Sequence, residues 1–210
     1  INGDPVEAGL VSSLSRPGGT MTGVSALSQE LAGKRVELLC EAIRGGRRLA
    51  VIANETHPGV GVERDATHAA ARRLGASIAW HPLKRVEDLD GAFAAISRDG
   101  PDGLIAIPDN LINRLARRIA DFSAVQRLPA ISGWSEFVEA GNLMSYGPDP
   151  RGYFRQMAGI ADRLLRGAHP AELAVEQPRD VEFVVNTRTA KAIGIVLSPA
   201  LQLRVNRRIG

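Results

Sequence analysis

Short, uninterrupted aliphatic runs recur along this chain, and each is followed within a few residues by a longer segment with helical spacing. Leu49-Ala50-Val51-Ile52-Ala53 and Leu104-Ile105-Ala106-Ile107 have no polar position on either face of a strand. A strand apolar on both faces must be covered on both faces, which is the situation of a mostly parallel sheet between helical layers. The pattern predicts a helix over 30–43, with Ser28 as a plausible N-cap, Leu31, Leu38 and Leu39 on one face, and Gly45-Gly46 as the stop. Strands over 49–53, 77–80, 104–107 and 128–132 then alternate with helices over 62–74, 86–96 and 111–122. Right-handed crossovers between such units make a doubly wound, Rossmann-like α/β sheet the expected architecture.

The two ends lack this rhythm. Residues 1–23 hold Gly3-Asp4-Pro5, a helical stretch over 7–14 and a turn at Arg16-Pro17-Gly18-Gly19, and read as the tail of another domain followed by a connector. Beyond Met144-Ser145-Tyr146-Gly147, a helix over 151–165 ends at Gly167. Short strands over 173–176 and 181–185, a helix over 187–193 and a last helix over 199–209 complete the expectation.

Composition excludes several classes. Apolar residues make up 44% but aromatics only 4%, so the core is aliphatic. No run approaches the roughly 20 apolar residues of a membrane span, so stable membrane insertion is not expected. Ile1 opens the chain without an initiator Met, as in a processed or truncated chain, and no secretory signal is present in it. The 26 basic and 23 acidic residues are interleaved, and the Arg pairs (Arg47-Arg48, Arg72-Arg73, Arg117-Arg118, Arg207-Arg208) read as solvated helix faces. Nucleic-acid binding, which needs a concentrated basic face with stacking aromatics, is not expected. Cys40 is the single cysteine, so no internal disulfide forms, and its place in Val36-Glu37-Leu38-Leu39-Cys40 is that of a small core residue.

In open α/β sheets, ligands sit beyond the carboxyl ends of the strands. That rule selects Asn54 and Glu55 after the first run, Asp109 and Asn110 after the third, and Ser132, Gly133 and Trp134 after the fourth. Tyr146 follows the next extended segment, and Asp4 lies near the chain start. Each has a second reading. Asp109 or Asn110 caps the next helix with or without touching a ligand, and Asn54 suits a turn as well as a donor. Trp134 is either core or a stacking lid, and Tyr146 is either a turn residue or a cleft hydroxyl.

Catalytic signatures are missing. The chain has no G-x-S-x-G elbow and no G-x-x-x-x-G-K-[ST] loop, and Gly59-Val60-Gly61 lacks the third glycine of a dinucleotide loop. His57, His68, His81 and His169 share no metal-ligand spacing, so neither a zinc site nor another cofactor is expected. Asp88 and Asp90 fall on different sides of one helix, which makes them poor partners for acid–base chemistry.

Several segments nevertheless resemble one family. Gly3-Asp4-Pro5-Val6, Ser15-Arg16-Pro17-Gly18-Gly19-Thr20-Met21-Thr22-Gly23-Val24-Ser25 and Leu31-Ala32-Gly33-Lys34-Arg35-Val36-Glu37-Leu38-Leu39 resemble consecutive segments of ABC-transporter substrate-binding proteins. So do Val138-Glu139-Ala140-Gly141-Asn142-Leu143-Met144-Ser145-Tyr146-Gly147, 171–178, and 184–194, in order and at natural spacing. Thr20 and Asn142 stand where the family often has Asn and Gly.

The resemblance implies a type I periplasmic-binding-protein fold, in which two lobes close on a small solute, with the second lobe complete here and the first largely missing. Residues 1–25 would be the end of the first lobe and hinge, and 26–146 the second, ligand-binding lobe. Residues 147–172 would be a returning first-lobe helix, and 173–210 hinge-associated strands and helix. It further implies no enzymatic activity, an extracytoplasmic or periplasmic location, a permease partner, and a small polar solute such as an amino acid. For a zwitterionic solute, Asp109 would face the ammonium, while Asn54, Asn110 and backbone N–H groups near Gly133 would hold the carboxylate. Surface normally covered by the first lobe would favour a homodimer of the fragment. The competing reading is the effector-binding core of a transcription regulator or sensory receptor with the same fold.

Overall fold

The structure, a computed structural model, describes residues 5–6, 9–25, 27–43 and 45–210. Asp4 lies outside them. Seven strands form one sheet: β1 (Arg48–Asn54), β2 (Ser77–Leu83), β3 (Gly103–Ala106), β4 (Ala130–Ser132), β5 (Met144–Pro148), β6 (Val181–Asn186) and β7 (Arg207–Ile209). Their order is β2-β1-β3-β4-β5-β6-β7, parallel throughout except for the antiparallel β5–β6 pair. The helices are α1 (Ser28–Ala42), α2 (Val60–Arg73), α3 (Leu89–Asp99), α4 (Asn110–Gln126), α5 (Ser135–Glu139), α6 (Pro150–Leu165), α7 (Thr187–Ile193) and α8 (Pro199–Leu203).

The apolar strands are apolar on both faces because both faces are covered. Leu49, Val51 and Ala53 of β1 pack with Ile105, Ile131 and Met144 under α1 and α2, in a cluster that includes Val36, Leu38, Leu39 and Cys40. The alternate residues Ala50 and Ile52 pack with Leu104, Ala106 and Ala130 against Leu89, Ile96, Ile112, Leu115 and Ile119 of α3 and α4. The period-2 alternation of strand side chains therefore divides the core into two layers, and the sheet is doubly wound as its sequence implies.

Several local expectations change. Ser28 is the first helical residue of α1 rather than its cap, and Leu27 before it takes a left-handed conformation (φ 50°). No helix spans the described residues 9–14, because their amides donate elsewhere in the loop: Leu10 and Val11 to the Pro5 carbonyl, Ser12 to the Pro17 carbonyl. The helix expected over 86–96 opens with a 3-10 turn at Val86–Asp88. Residues 173–176 form a single bridge, Val24 with Glu176, instead of a strand. The final helix stops at Leu203, and the chain becomes β7. Asn206 causes this switch: its side-chain oxygen accepts from the Phe183 amide at 2.7 Å, while its own amide donates to the Phe183 carbonyl at 2.9 Å. The unpaired edge of β6 thus captures a segment whose local pattern is helical.

Residues 9–25, α6 and the segment after it pack on one another. The Thr22 hydroxyl donates to the Leu173 carbonyl at 2.7 Å, the Val175 amide to the Leu14 carbonyl at 2.7 Å, and the Tyr153 hydroxyl to the Val24 carbonyl at 3.2 Å. Along α6 only Ile160 is buried, and Phe154, Met157 and Leu165 stand exposed. Among the described residues no helix is long and apolar enough to cross a membrane.

Candidate functional site

The carboxyl ends of β3, β4 and β5 converge on a cavity of about 290 Å³ whose far wall is the start of α6. This lies at the lower end of the range for small-molecule sites, roughly 300–1,000 Å³. Pro108 and Asn110 enter it after β3, Trp134 and Glu136 after β4, and Pro148 ends β5. Tyr153 and Phe154 of α6, Ser28 and Arg35 of α1, and Asn113 of α4 complete the lining with Pro150. The chain has only two Trp, two Tyr and five Phe, yet three of these rings line this one cavity. Flat apolar rings edged by amides and one cation suit a small amphipathic solute.

Each wall is held by local chemistry. Asp109 caps α4, its Oδ1 accepting from the Ile112 amide at 2.9 Å, and this places Asn110 and Asn113 on the first turn facing the cavity. Asp149 caps α6 through the Arg151 and Gly152 amides, with Pro150 preset for the first turn. Gly133 and Gly147 let β4 and β5 close at their ends: a Cβ on Gly147 would overlap the Gly133 carbonyl.

The residues selected by the strand-end rule separate into two groups. Asn110 and Trp134 line the cavity, and Gly133 adjoins it through Arg35. The other described residues do not line it: Glu55 accepts from Arg64 at 3.1 Å and from Trp80 at 3.3 Å, and the rest turn inward. Asp109 Oδ2 accepts from Asn54 Nδ2 at 2.7 Å, and Asn54 Oδ1 accepts from the Thr56 amide at 3.0 Å, so this pair braces two strand ends. The buried Ser132 hydroxyl donates to the Ala106 carbonyl at 2.7 Å. The Tyr146 ring meets Phe183 edge-on at 6.3 Å, against the core. The Asp109 carboxylate accepts from Ile112 and Asn54, and the acid that lines the cavity is Glu136.

The strand-end rule misses wall residues that helices supply, Ser28 and Arg35 of α1, Asn113 of α4 and Tyr153 and Phe154 of α6, and Arg35 is the charged one among them. It is 2% exposed, and its Nε donates to the Tyr146 carbonyl at 3.0 Å. Its Nη1 lies 3.5 Å from Oε2 of Glu63, which is 1% exposed on α2. Burial pushes the Glu63 carboxyl up to about 7, Asp109 adds to this by repulsion, and Arg35 and the Ser28 hydroxyl oppose it. Burial likewise lowers Arg35 from its ordinary value, but a guanidinium stays protonated in proteins. A sequence signal existed: Arg35 lies four residues after Leu31 and three before Leu38, a charge on the apolar face of α1. Among the described residues no group of three His, Cys, Asp or Glu is placed to hold a metal ion.

The model of the ABC transporter substrate binding protein family matches residues 2–207. A tyrosine-binding protein of Clostridioides difficile is 25% identical over 191 residues, which is 90% of this chain and 54% of that relative, so the chain spans about half of its length. Among solved structures, a conserved domain protein of Vibrio cholerae is 25% identical with a TM-score of 0.90, covering 98% of this chain and 68% of that one. An ABC domain of Streptococcus pneumonia in complex with L-Trp is 20% identical with a TM-score of 0.89, covering 99% and 71%.

Proposed function

The chain belongs to the ABC transporter substrate-binding proteins, and we propose that it binds a small amino acid, aromatic by preference, and hands it to a permease outside the cytoplasm. The observation that carries this reading is the cavity beyond β3–β5, where Trp134, Tyr153 and Phe154 gather with Asn110, Asn113 and Arg35. The relatives add support, since one is a tyrosine-binding protein and one holds L-Trp.

In this reading residues 26–146 belong to one lobe, and residues 1–25 and 147–172 to the other. The cavity walls then come from both, because Trp134 and Asn110 face Tyr153 and Phe154 of α6. A solute touching both sides favours the closed arrangement in proportion to its extra contacts there. Of the residues at the strand ends, two contact the solute: Asn110 supplies an amide and Trp134 a stacking face.

Thermal melting against amino acids, small peptides, sugars and purines tests the proposal. A ligand at 100 times its Kd stabilises by about 2.7 kcal/mol. For a domain of this size that raises the midpoint by roughly 5–10 °C. A selective rise with tryptophan or tyrosine is expected. A rise confined to sugars or purines, or none with any amino acid, would refute the amino-acid assignment.

A further inference from the structure

Arg35 is a cation buried where a protein has little reason to put one. Its three nitrogens are unequally used: Nε is satisfied by the Tyr146 carbonyl at 3.0 Å, and Nη1 has only the loose 3.5 Å approach of Glu63. Nη2 has no hydrogen-bond acceptor among the described residues. It packs against Gly133, where a Cβ would come within 2.7 Å of it, so a side chain at that position would displace the guanidinium. Arg35 is also part of the cavity wall. A buried guanidinium with unused donors is costly unless a further acceptor joins it, and its planar fork matches a carboxylate.

We propose that Arg35, as part of the cavity wall, binds the carboxylate of the solute through Nη2, in competition with Glu63 for one guanidinium. The assignment rests on the reading of the cavity as the ligand site and deepens it: the solute must present a carboxylate toward Arg35, with its apolar part toward Trp134 and Phe154. Glu63 then has a defined role. In the empty site it partly neutralises Arg35; when a second anion arrives, repulsion favours its protonated form, and it takes one proton from solvent. The groups around this pair are Ser28 from α1, Asp109 ahead of α4, Tyr146 from β5 and, in the cavity wall, Glu136 of α5. None of these is a cation that would replace Arg35. By linkage, affinity falls as pH rises through the range where the empty site loses the Glu63 proton.

The test is calorimetric titration of the protein with L-tryptophan, L-tyrosine, L-phenylalanine and L-leucine, each beside its decarboxylated amine, between pH 6 and 8 in two buffers of different ionisation enthalpy. The acid should bind about tenfold to a hundredfold more tightly than its amine. Binding should take up a fraction of a proton near pH 7, and Glu63→Gln should bind without that uptake. Arg35→Met should bind acid and amine alike. Wild-type protein that binds an acid and its amine equally overturns the role of Arg35 and leaves the amino-acid reading standing. Equal proton uptake in Glu63→Gln overturns the competition. Protein that binds none of the four acids overturns the cavity reading and this assignment with it.

Discussion

Glu63 makes the stability of this protein depend on pH in an unusual direction. Its carboxyl ionises near 4.5 in the unfolded chain and only at about 7 in the folded one, because burial outweighs the Arg35 attraction. A carboxyl whose folded value is raised contributes stability that is fully present below pH 4.5 and is lost as pH climbs through 7. The interval corresponds to about 3 kcal/mol. Replacing Glu63 by Gln removes this titration while keeping the shape and the neighbour of Arg35. The decisive quantity is the stability of wild type minus that of Glu63→Gln, from urea unfolding at half-unit steps between pH 4.5 and 8. Titrating groups that do not interact with Glu63 cancel in this difference, including His81, which burial lowers. The difference should move against the wild type by about 3 kcal/mol across the window, or roughly 6–12 °C in midpoint for a domain of this size. A difference that stays flat, or that favours the wild type with rising pH, would refute the reasoning and show that the Arg35 pairing controls Glu63 instead.

Three further outcomes follow from the geometry. Asp109→Ala removes the α4 cap and strands Asn54 Nδ2, so chemical unfolding should show a loss of about 1–3 kcal/mol, and ligand affinity should change only through the displaced Asn110. Gly147→Ala forces a Cβ into the Gly133 carbonyl, and circular dichroism melting should find it at least 2 kcal/mol less stable, unlike Gly159→Ala, whose Cβ meets nothing within 4 Å. Trp134→Ala should weaken aromatic amino-acid binding by about tenfold while leaving the melting midpoint of the free protein within a few degrees, since the ring lines the cavity instead of filling the core.

Much of the architecture was legible from local pattern. Runs such as Leu49–Ala53 and Leu104–Ile107 could be buried on both faces only between helical layers, and the intervening glycines and caps marked where helices stop. Segments such as Arg16-Pro17-Gly18-Gly19 and Met144-Ser145-Tyr146-Gly147 carry the chain's kinship in the sequence itself. The strand-end rule also found Asn110 and Trp134, because a parallel sheet delivers the residues after each strand to the same edge.

Other features were decided by partners that lie far away along the chain. Residues 207–209 form a strand because β6 offers an open edge, and the described residues of 9–14 form no helix because Pro5 and Pro17 carbonyls claim their amides. Asn54, Asp109, Ser132 and Tyr146 stand at strand ends, yet their side chains turn to one another, to backbone or to Phe183. Periodicity reports which face of a segment is buried, but it carries no information on which distant group lies opposite. Arg35 shows the limit most clearly. Its position on the apolar face of α1 could be read from spacing, but its partners are 28 residues away at Glu63 and 111 away at Tyr146. The energy of a buried charge depends on what surrounds it in space, so only the packed sheet and helices turn this arginine from an anomaly into part of a cavity wall.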